Sequence, residues 1–182
     1  IGAVIEGSRL NGYRTAAADA VATDALARPD AETLAIFGTG HQAEFEVAAV
    51  AQVRDLKRIL VVGRAQGRVT EFAERLRGHG LECQPSDAES ACRAADIIVT
   101  ATTSREPLFE ADWVKPGTHV SSMGSDAPGK QELPPALFER ARLFCDLPEQ
   151  ARRIGEFQHA GEGAELTAIG EVLKGDAPGR LS

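Results

Sequence analysis

The sequence is poor in aromatic residues. One Trp, one Tyr and seven Phe make up 5% of its 182 residues, so a core must be built mainly from aliphatic side chains, for which a 43% hydrophobic content is sufficient. Clustered basic charge is missing too. The chain carries 27 acidic against 20 basic residues, a formal net charge of -7. Phosphate-backbone binding needs a concentrated basic face, so nucleic acid is excluded as an expected partner. Cysteine is scarce: Cys83, Cys92 and Cys145 form an odd set without C-x-x-C spacing. They read as reduced core thiols of a cytoplasmic protein, not as a disulfide frame or zinc site. No apolar run approaches the roughly 18 residues that cross a bilayer, and no membrane partner is expected. Ile1 to Asn11 lacks the basic start and apolar core of a signal peptide. His41, His79, His119 and His159 show no metal-ligand spacing, so no metal site is expected. Ser121 and Ser122 lie outside any G-x-S-x-G elbow, which leaves a hydrolase triad without support.

What is present is an alternation of short apolar runs and helical periodicity. Thr33–Phe37, Arg58–Val62, Asp96–Thr102 and Thr118–Met123 read as strands, with Leu81–Gln84 and Arg142–Cys145 as shorter ones. Gly2 to Glu6 is strand-like as well. Helices are expected at Arg14–Arg28, with Ala17, Val21 and Ala25 on its apolar face, and at His41–Val53. Further helices fit Val69–Leu76, Asp87–Ala95, Pro135–Ala141, Gln150–Arg153 and Glu165–Leu173. Strands and helices alternating in this way predict an α/β fold of Rossmann type: a doubly wound, mostly parallel sheet with helices on both faces.

One stretch organises the rest. Leu34–Phe37 runs into Gly38-Thr39-Gly40-His41-Gln42-Ala43, a G-x-G-x-x-A turn between a strand and a helix. The first glycine permits the tight turn, the second admits a pyrophosphate to the backbone, and the small third residue lets helix and strand pack. The helix start adds free N–H donors and a partial positive charge. At the end of the second strand an acidic residue would suit the 2′-hydroxyl of NAD. Here stand Gly63-Arg64-Ala65 and Arg68, and guanidinium groups suit the extra 2′-phosphate of NADP. The plain alternative is a pair of solvated surface arginines. Two further strand ends carry hydroxyls: Thr100, Thr102, Thr103 and Ser104 on one, Ser121-Ser122-Met123 on the other. In open α/β sheets ligands bind outside the carboxyl ends of strands. Asp126 and Lys130 follow in a Pro/Gly-shaped loop; they fit an acid/base carboxylate with an ammonium partner, or an Asx turn beside an exposed lysine.

Four motifs occur in order: Arg14-Thr15-Ala16-Ala17, Gly38 to Ala43, Thr100-Ala101-Thr102-Thr103-Ser104 with Glu106-Pro107, and Gly124-Ser125-Asp126-Ala127-Pro128-Gly129-Lys130-Gln131-Glu132-Leu133. Together they resemble the ornithine cyclodeaminase/mu-crystallin family, which includes alanine dehydrogenase and ketimine reductase branches. The resemblance implies an NAD(P)-dependent oxidoreductase or cyclodeaminase that moves hydride between nicotinamide and the α-carbon of a small amino or cyclic imino acid. It implies a homodimer formed through a second, substrate-holding lobe. Residues 1–13 would be a remnant of that lobe and a link, and 14–182 the dinucleotide-binding domain of a larger protein. Arg14 would contact cofactor and substrate carboxylate, and Thr15 the pyrophosphate. Gly38, Gly40, His41 and Gln42 would cradle the phosphates; Thr100, Thr102 and Val120, Ser121, Ser122 and Met123 would line the nicotinamide side. Asp126 would be the catalytic acid/base, with Lys130 beside the cofactor. Arg64 shifts the expected cofactor to NADP, with NAD as the alternative. The competing reading is a non-catalytic NADP-binding protein of crystallin type.

Overall fold

The structure, a computed structural model, describes residues 2–4 and 7–180. A 19-residue helix, α1 (Ser8–Leu26), leads into β1 (Thr33–Phe37), α2 (His41–Val53), β2 (Arg58–Val62), α3 (Gln66–Arg77), β3 (Cys83–Pro85), α4 (Ala88–Ala94), β4 (Ile97–Thr100) and β5 (His119–Ser122). The remainder forms β6 (Leu143–Cys145), α5 (Pro148–Ala151), β7 (Leu166–Ala168) and α6 (Ile169–Lys174). Strands β3-β2-β1-β4-β5 lie side by side in that order, every pair parallel. The chain winds outward from β1 to β3, then returns to β4 on the other side of β1. That reversal opens a crevice at the carboxyl ends of β1 and β4, where doubly wound sheets take ligands. The expected Rossmann-type architecture is therefore observed.

The strands are apolar on both faces because helices cover both. Leu34 and Ile36, Ile59 and Val61, and Ile97 and Val99 point toward α2 and α3, where Val47, Val50, Val69, Phe72 and Leu76 meet them. Ala35, Phe37, Leu60 and Ile98 face the other way, onto Ala91, Cys92, Phe109, Leu133 and Phe138. Phe72 is 1% exposed; burying such a side chain contributes about 1.5–3 kcal/mol.

Five expectations change. The helix expected from Arg14 begins at Ser8, so a boundary between residues 13 and 14 would fall inside one continuous helix. Its buried stripe is Gly12, Ala16, Asp19, Thr23 and Leu26, while Ala17 and Val21 face outward. Helix α1 packs closely on α2 through small and mutually paired polar residues, so hydrophobicity points to the wrong face. Residues 2–4 form no strand, and the rest of the expected Gly2–Glu6 strand, Ile5 and Glu6, lies outside the described residues. Pro135–Leu137 is a single tight turn of 3-10 helix, and Leu166–Ala168 is a strand paired in parallel with β6 before α6 begins.

Arg54, at the end of α2, fastens α1 in place. Its guanidinium donates to the carbonyls of Thr23 (2.9 Å), Asp24 (3.0 Å), Ala27 (3.0 Å) and Arg28 (3.0 Å), and pairs with the Asp24 carboxylate at 3.0 Å. Asp24 lies in the last turn of α1 and Ala27 just beyond it, where carbonyls have no partner within the helix itself. Pro29 follows within three residues and helps stop α1.

Candidate functional site

The turn after β1 treats its two glycines differently. Gly38 has φ 122°, a region that side chains avoid, and its N–H donates to the Val62 carbonyl at 2.9 Å. A Cβ on it would sit 2.4 Å from the Ala101 carbonyl oxygen, so the fold itself demands glycine there. Gly40 is not demanded by the fold. Its backbone is extended (φ -87°, ψ 179°), and a Cβ would meet nothing within 4 Å. It opens α2, whose first turn has no side-chain cap. Bare N–H donors at a helix start, behind a residue without a side chain, make a surface suited to an anion approaching the backbone.

Arg64 and Arg68 stand at the carboxyl end of β2, next to this turn. The Gly38 N–H bond to Val62 and the approach of the Thr39 methyl to Gly63, whose Cβ would lie 3.2 Å from it, join the two segments. Both arginines are exposed, and among the described residues neither pairs with a carboxylate. On the other side, Gln42 donates from Nε2 to the Gly12 carbonyl of α1 (3.3 Å) and to Glu46 Oε1 (2.6 Å). Its side chain therefore ties α2 to α1 and is not free to cradle a phosphate, contrary to what its place in the turn suggests. Arg14 and Thr15 lie on the adjoining turn of α1: Arg14 Nε bonds Asn11 Oδ1 at 3.0 Å and Thr15 Oγ1 bonds the Asn11 carbonyl at 2.8 Å. His41 is exposed, its ring edge against Phe45 at 4.6 Å between centroids.

At the ends of β4 and β5 the hydroxyls gather on a residue to which the sequence alone assigns no role. Glu132 is fully buried and its carboxylate accepts from Thr100, Thr102 and Ser122 hydroxyls and from the Thr102 and Gly124 N–H groups, all within 2.7–2.9 Å. Glu156, also buried, accepts from the N–H groups of Glu132 and Leu133 and lies 3.1 Å from the Ser122 hydroxyl. Burial pushes the Glu156 carboxyl above its ordinary range, and the neighbouring Glu132 adds to the rise. Thr100, expected to line the nicotinamide side, is wholly enclosed and supports the site from beneath.

Strand alternation splits the expected Val120–Met123 lining. Val120 packs into the core on the α4 side, whereas Ser121 and His119 face α1 and bond one another at 3.0 Å. Met123 packs against the α2 side. Side chains two apart share a face, so four consecutive residues cannot line one wall. Burial, with the charges of Arg54 and Arg180, lowers His119 to about 4.

Asp126 stands out in solvent, 76% exposed, paired with Lys130, whose ammonium also donates to the Gly124 carbonyl at 3.2 Å. The loop is anchored from below by Gln158 and His159 on the Lys130 carbonyl (3.3 and 2.7 Å). The structure thus groups the glycine turn, Arg64, Thr102, Ser122 and Gly124 around the carboxyl edge of the sheet. Asp19 and Glu46 are a second finding that the sequence does not announce: 2% and 0% exposed between α1 and α2, each with one oxygen lacking a partner. Thr23 bonds Asp19 Oδ1 at 3.4 Å, and Glu46 and Ser121 approach its carboxyl. A carboxylate in an Ala/Val-rich helix, four residues after Gln42, is the available signal for Glu46; for Glu132 it is an acid set against Leu133-Pro134-Pro135. Among the described residues no cluster of His, Cys, Asp or Glu could hold a metal ion.

The sheet order, the crevice and the glycine turn define a Rossmann-type domain. Residues 2–182 match the model of the ornithine cyclodeaminase/mu-crystallin family, and the chain belongs to that family. It is 36% identical over 185 residues to the iminosuccinate reductase of Paracoccus denitrificans, covering 99% of this chain and 58% of that protein. A solved structure of the Paracoccus enzyme in complex with NAD+ superposes with a TM-score of 0.87. The Δ1-pyrroline-2-carboxylate reductase of Thermococcus litoralis, solved with NADH and L-proline, gives a TM-score of 0.91 at 31% identity over 97% of this chain and 58% of that one. An archaeal alanine dehydrogenase dimer with bound NAD also gives 0.91, at 33% identity over 97% of this chain and 57% of that one. The chain thus spans somewhat over half the length of these relatives. No described helix is long and apolar enough to cross a membrane.

Proposed function

We propose that this chain is the dinucleotide-binding part of an NAD(P)-dependent enzyme that moves hydride between a nicotinamide and the α-carbon of a small amino or cyclic imino acid. The observation that carries the reading is Gly40: its missing side chain serves no internal contact, yet it leaves the uncapped N–H groups of α2 open at the sheet's switch point. A pyrophosphate fits that surface, so the residues present suit a dinucleotide. When bound, the nicotinamide supplies the hydride acceptor or donor. The chain's own residues have separate tasks. The first turn of α2 holds the phosphates. Arg64 and Arg68, which pair with no carboxylate among the described residues, favour a 2′-phosphate and hence NADP over NAD. Arg14, exposed on α1 and bonded to Asn11, is read as the ligand of the substrate carboxylate. Asp126 is the acid/base that passes the proton of the reaction, with Lys130 fixing its position.

The relatives support the substrate class, because iminosuccinate, pyrroline-2-carboxylate and alanine all carry a carboxylate beside an amino or imino carbon. They also support a homodimer, which the alanine dehydrogenase forms. A cytoplasmic location goes with this reading. The test is a titration of the chain with NADH and NADPH followed by nicotinamide fluorescence. Tighter NADPH binding is expected, and Arg64→Asp should reverse the preference by about tenfold or more, the scale of removing one charge-assisted hydrogen bond and adding one repulsion. Tighter NADH binding by the unaltered chain would count against the role given to Arg64, and saturable binding of neither would count against the whole reading.

A further inference from the structure

At the ends of β4 and β5 the hydroxyls of Thr100, Thr102 and Ser122 and the N–H groups of Thr102 and Gly124 have spent their protons on one carboxylate. Glu132 Oε1 accepts from the Thr102 N–H and the Thr102 hydroxyl, each at 2.7 Å. Its Oε2 accepts from Thr100 (2.8 Å), Ser122 (2.9 Å) and the Gly124 N–H (2.8 Å). A carboxylate offers about four lone-pair sites, so five donors saturate it. The neighbouring N–H groups are committed as well: Ala101 to Phe37 at 2.8 Å and Met123 to Thr100 at 2.8 Å.

A hydroxyl has one proton to give. Thr102 gives it to Glu132 and accepts from the Ser104 N–H at 3.1 Å, which leaves one lone pair. Ser122 lies between Glu132 at 2.9 Å and Glu156 at 3.1 Å, and its proton is likewise used inside the protein. Both residues are only half-buried; Thr102 lies at the crevice, its methyl 3.5 Å from a Cβ on Gly38 and its carbonyl 2.2 Å from one on Gly124, and Ser122 ends β5 in register with Thr100. The opposite side of the crevice has the reverse character. There the α2 start, Arg64 and Arg68 offer donors only.

We infer that Glu132 is a positioning residue that turns the β4–β5 rim into a row of hydrogen-bond acceptors, so that this rim selects a dinucleotide whose ring substituent carries N–H donors. The inference rests on the dinucleotide reading above. It assigns the crevice a direction: phosphates to the donor side, the carboxamide ring to the acceptor side. Thr102 and Ser122 do the contacting, and Glu132 acts through them by fixing where their protons point.

The test is calorimetric titration of the 182-residue chain with three probes: whichever of NADH or NADPH binds more tightly, its 3-acetylpyridine counterpart, and ADP-ribose. The acetyl group accepts but has no N–H to donate. The unaltered chain should bind the acetylpyridine form about tenfold more weakly, the scale of one unmade hydrogen bond to a positioned partner. Glu132→Gln keeps the shape but replaces one oxygen by an N–H2: in the Oε1 place it turns the Thr102 proton outward, in the Oε2 place that of Ser122, and on either side it opposes one backbone N–H, of Thr102 or Gly124. Discrimination between the two rings should fall to about threefold or less, while ADP-ribose affinity stays unchanged. Ser122→Ala leaves Glu132 four donors and should weaken the same discrimination in part. Equal affinity of the unaltered chain for the two ring substituents overturns the inference, independently of how any variant folds. So does Glu132→Gln with discrimination intact. If ADP-ribose binds while the rings are not distinguished, the inference alone fails; if neither the dinucleotides nor ADP-ribose bind, the dinucleotide reading fails with it.

Discussion

Replacing Glu46 with glutamine should make the chain less sensitive to alkaline pH. Glu46 is fully buried between α1 and α2; Oε1 accepts from Gln42 at 2.6 Å, while Oε2 and Asp19 Oδ2 have no partner. Burial, and next the charge of Asp19, push Glu46 up to about 8 from an ordinary 4.5, against the opposing bond from Gln42. Burial raises Asp19 in the same direction. The pair therefore holds a proton at neutral pH. Because the folded value lies above the unfolded one, this stabilisation is complete below about 4.5 and is lost as pH rises through about 8. Each proton carries a limiting slope of about 1.4 kcal/mol per pH unit, so the unaltered chain should lose on the order of 1.5 kcal/mol between about pH 6.5 and 8. That window avoids His119, whose lowered value gives the opposite slope below 6.5, and the cysteine thiols, which burial holds at about 11 to 12. Glu156 contributes a slope of the same sign but remains in the variant, so the difference between the two proteins reports the Glu46–Asp19 pair. The glutamine amide cannot ionise, and its N–H can serve the orphaned Asp19 oxygen. Urea unfolding at pH 6.5 and 8 measures the effect. A chain equally stable at both values, or an E46Q variant with an unchanged pH slope, would refute the shared proton.

Two further substitutions probe the frame that holds the crevice. Gly38→Ala forces a side chain into φ 122° and against the Ala101 carbonyl at 2.4 Å, and should cost about 2–4 kcal/mol in urea unfolding. Arg54→Ala leaves the carbonyls of Asp24 and Ala27 without a donor and takes one of two donors from Thr23; a destabilisation of about 2–4 kcal/mol is expected, with amide exchange accelerated at the end of α1.

Much of this architecture is legible in the sequence because its signals are local. Continuous branched runs at β1, β2 and β4 report strands covered on both faces, and the glycine turn reports its own strand-to-helix setting. What escapes depends on neighbours distant in sequence. The buried face of α1 is chosen by close packing on α2 and by Arg54, thirty-one residues after Thr23, rather than by its apolar residues. Gln42 resembles a phosphate ligand because its place in the turn is visible, whereas its bond to Gly12 is not. Glu132 belongs to a visible motif, but its role follows from Thr100, Thr102 and Ser122 converging on it from two strand ends. The hydroxyls at those ends do form the cluster that their spacing predicts, but they are bound to Glu132 rather than free to line a pocket.

Gly40→Ala tests the central claim most directly, because the structure has room for the methyl group and the fold does not need the glycine. Titrating the unaltered chain and this variant with NADH and NADPH, alongside urea unfolding of both, separates binding from stability. Saturable binding by the unaltered chain is expected, with affinity lowered about tenfold or more in the variant and stability changed by no more than about 0.5 kcal/mol. Equal binding by the two proteins at equal stability would contradict a phosphate cradle at the start of α2.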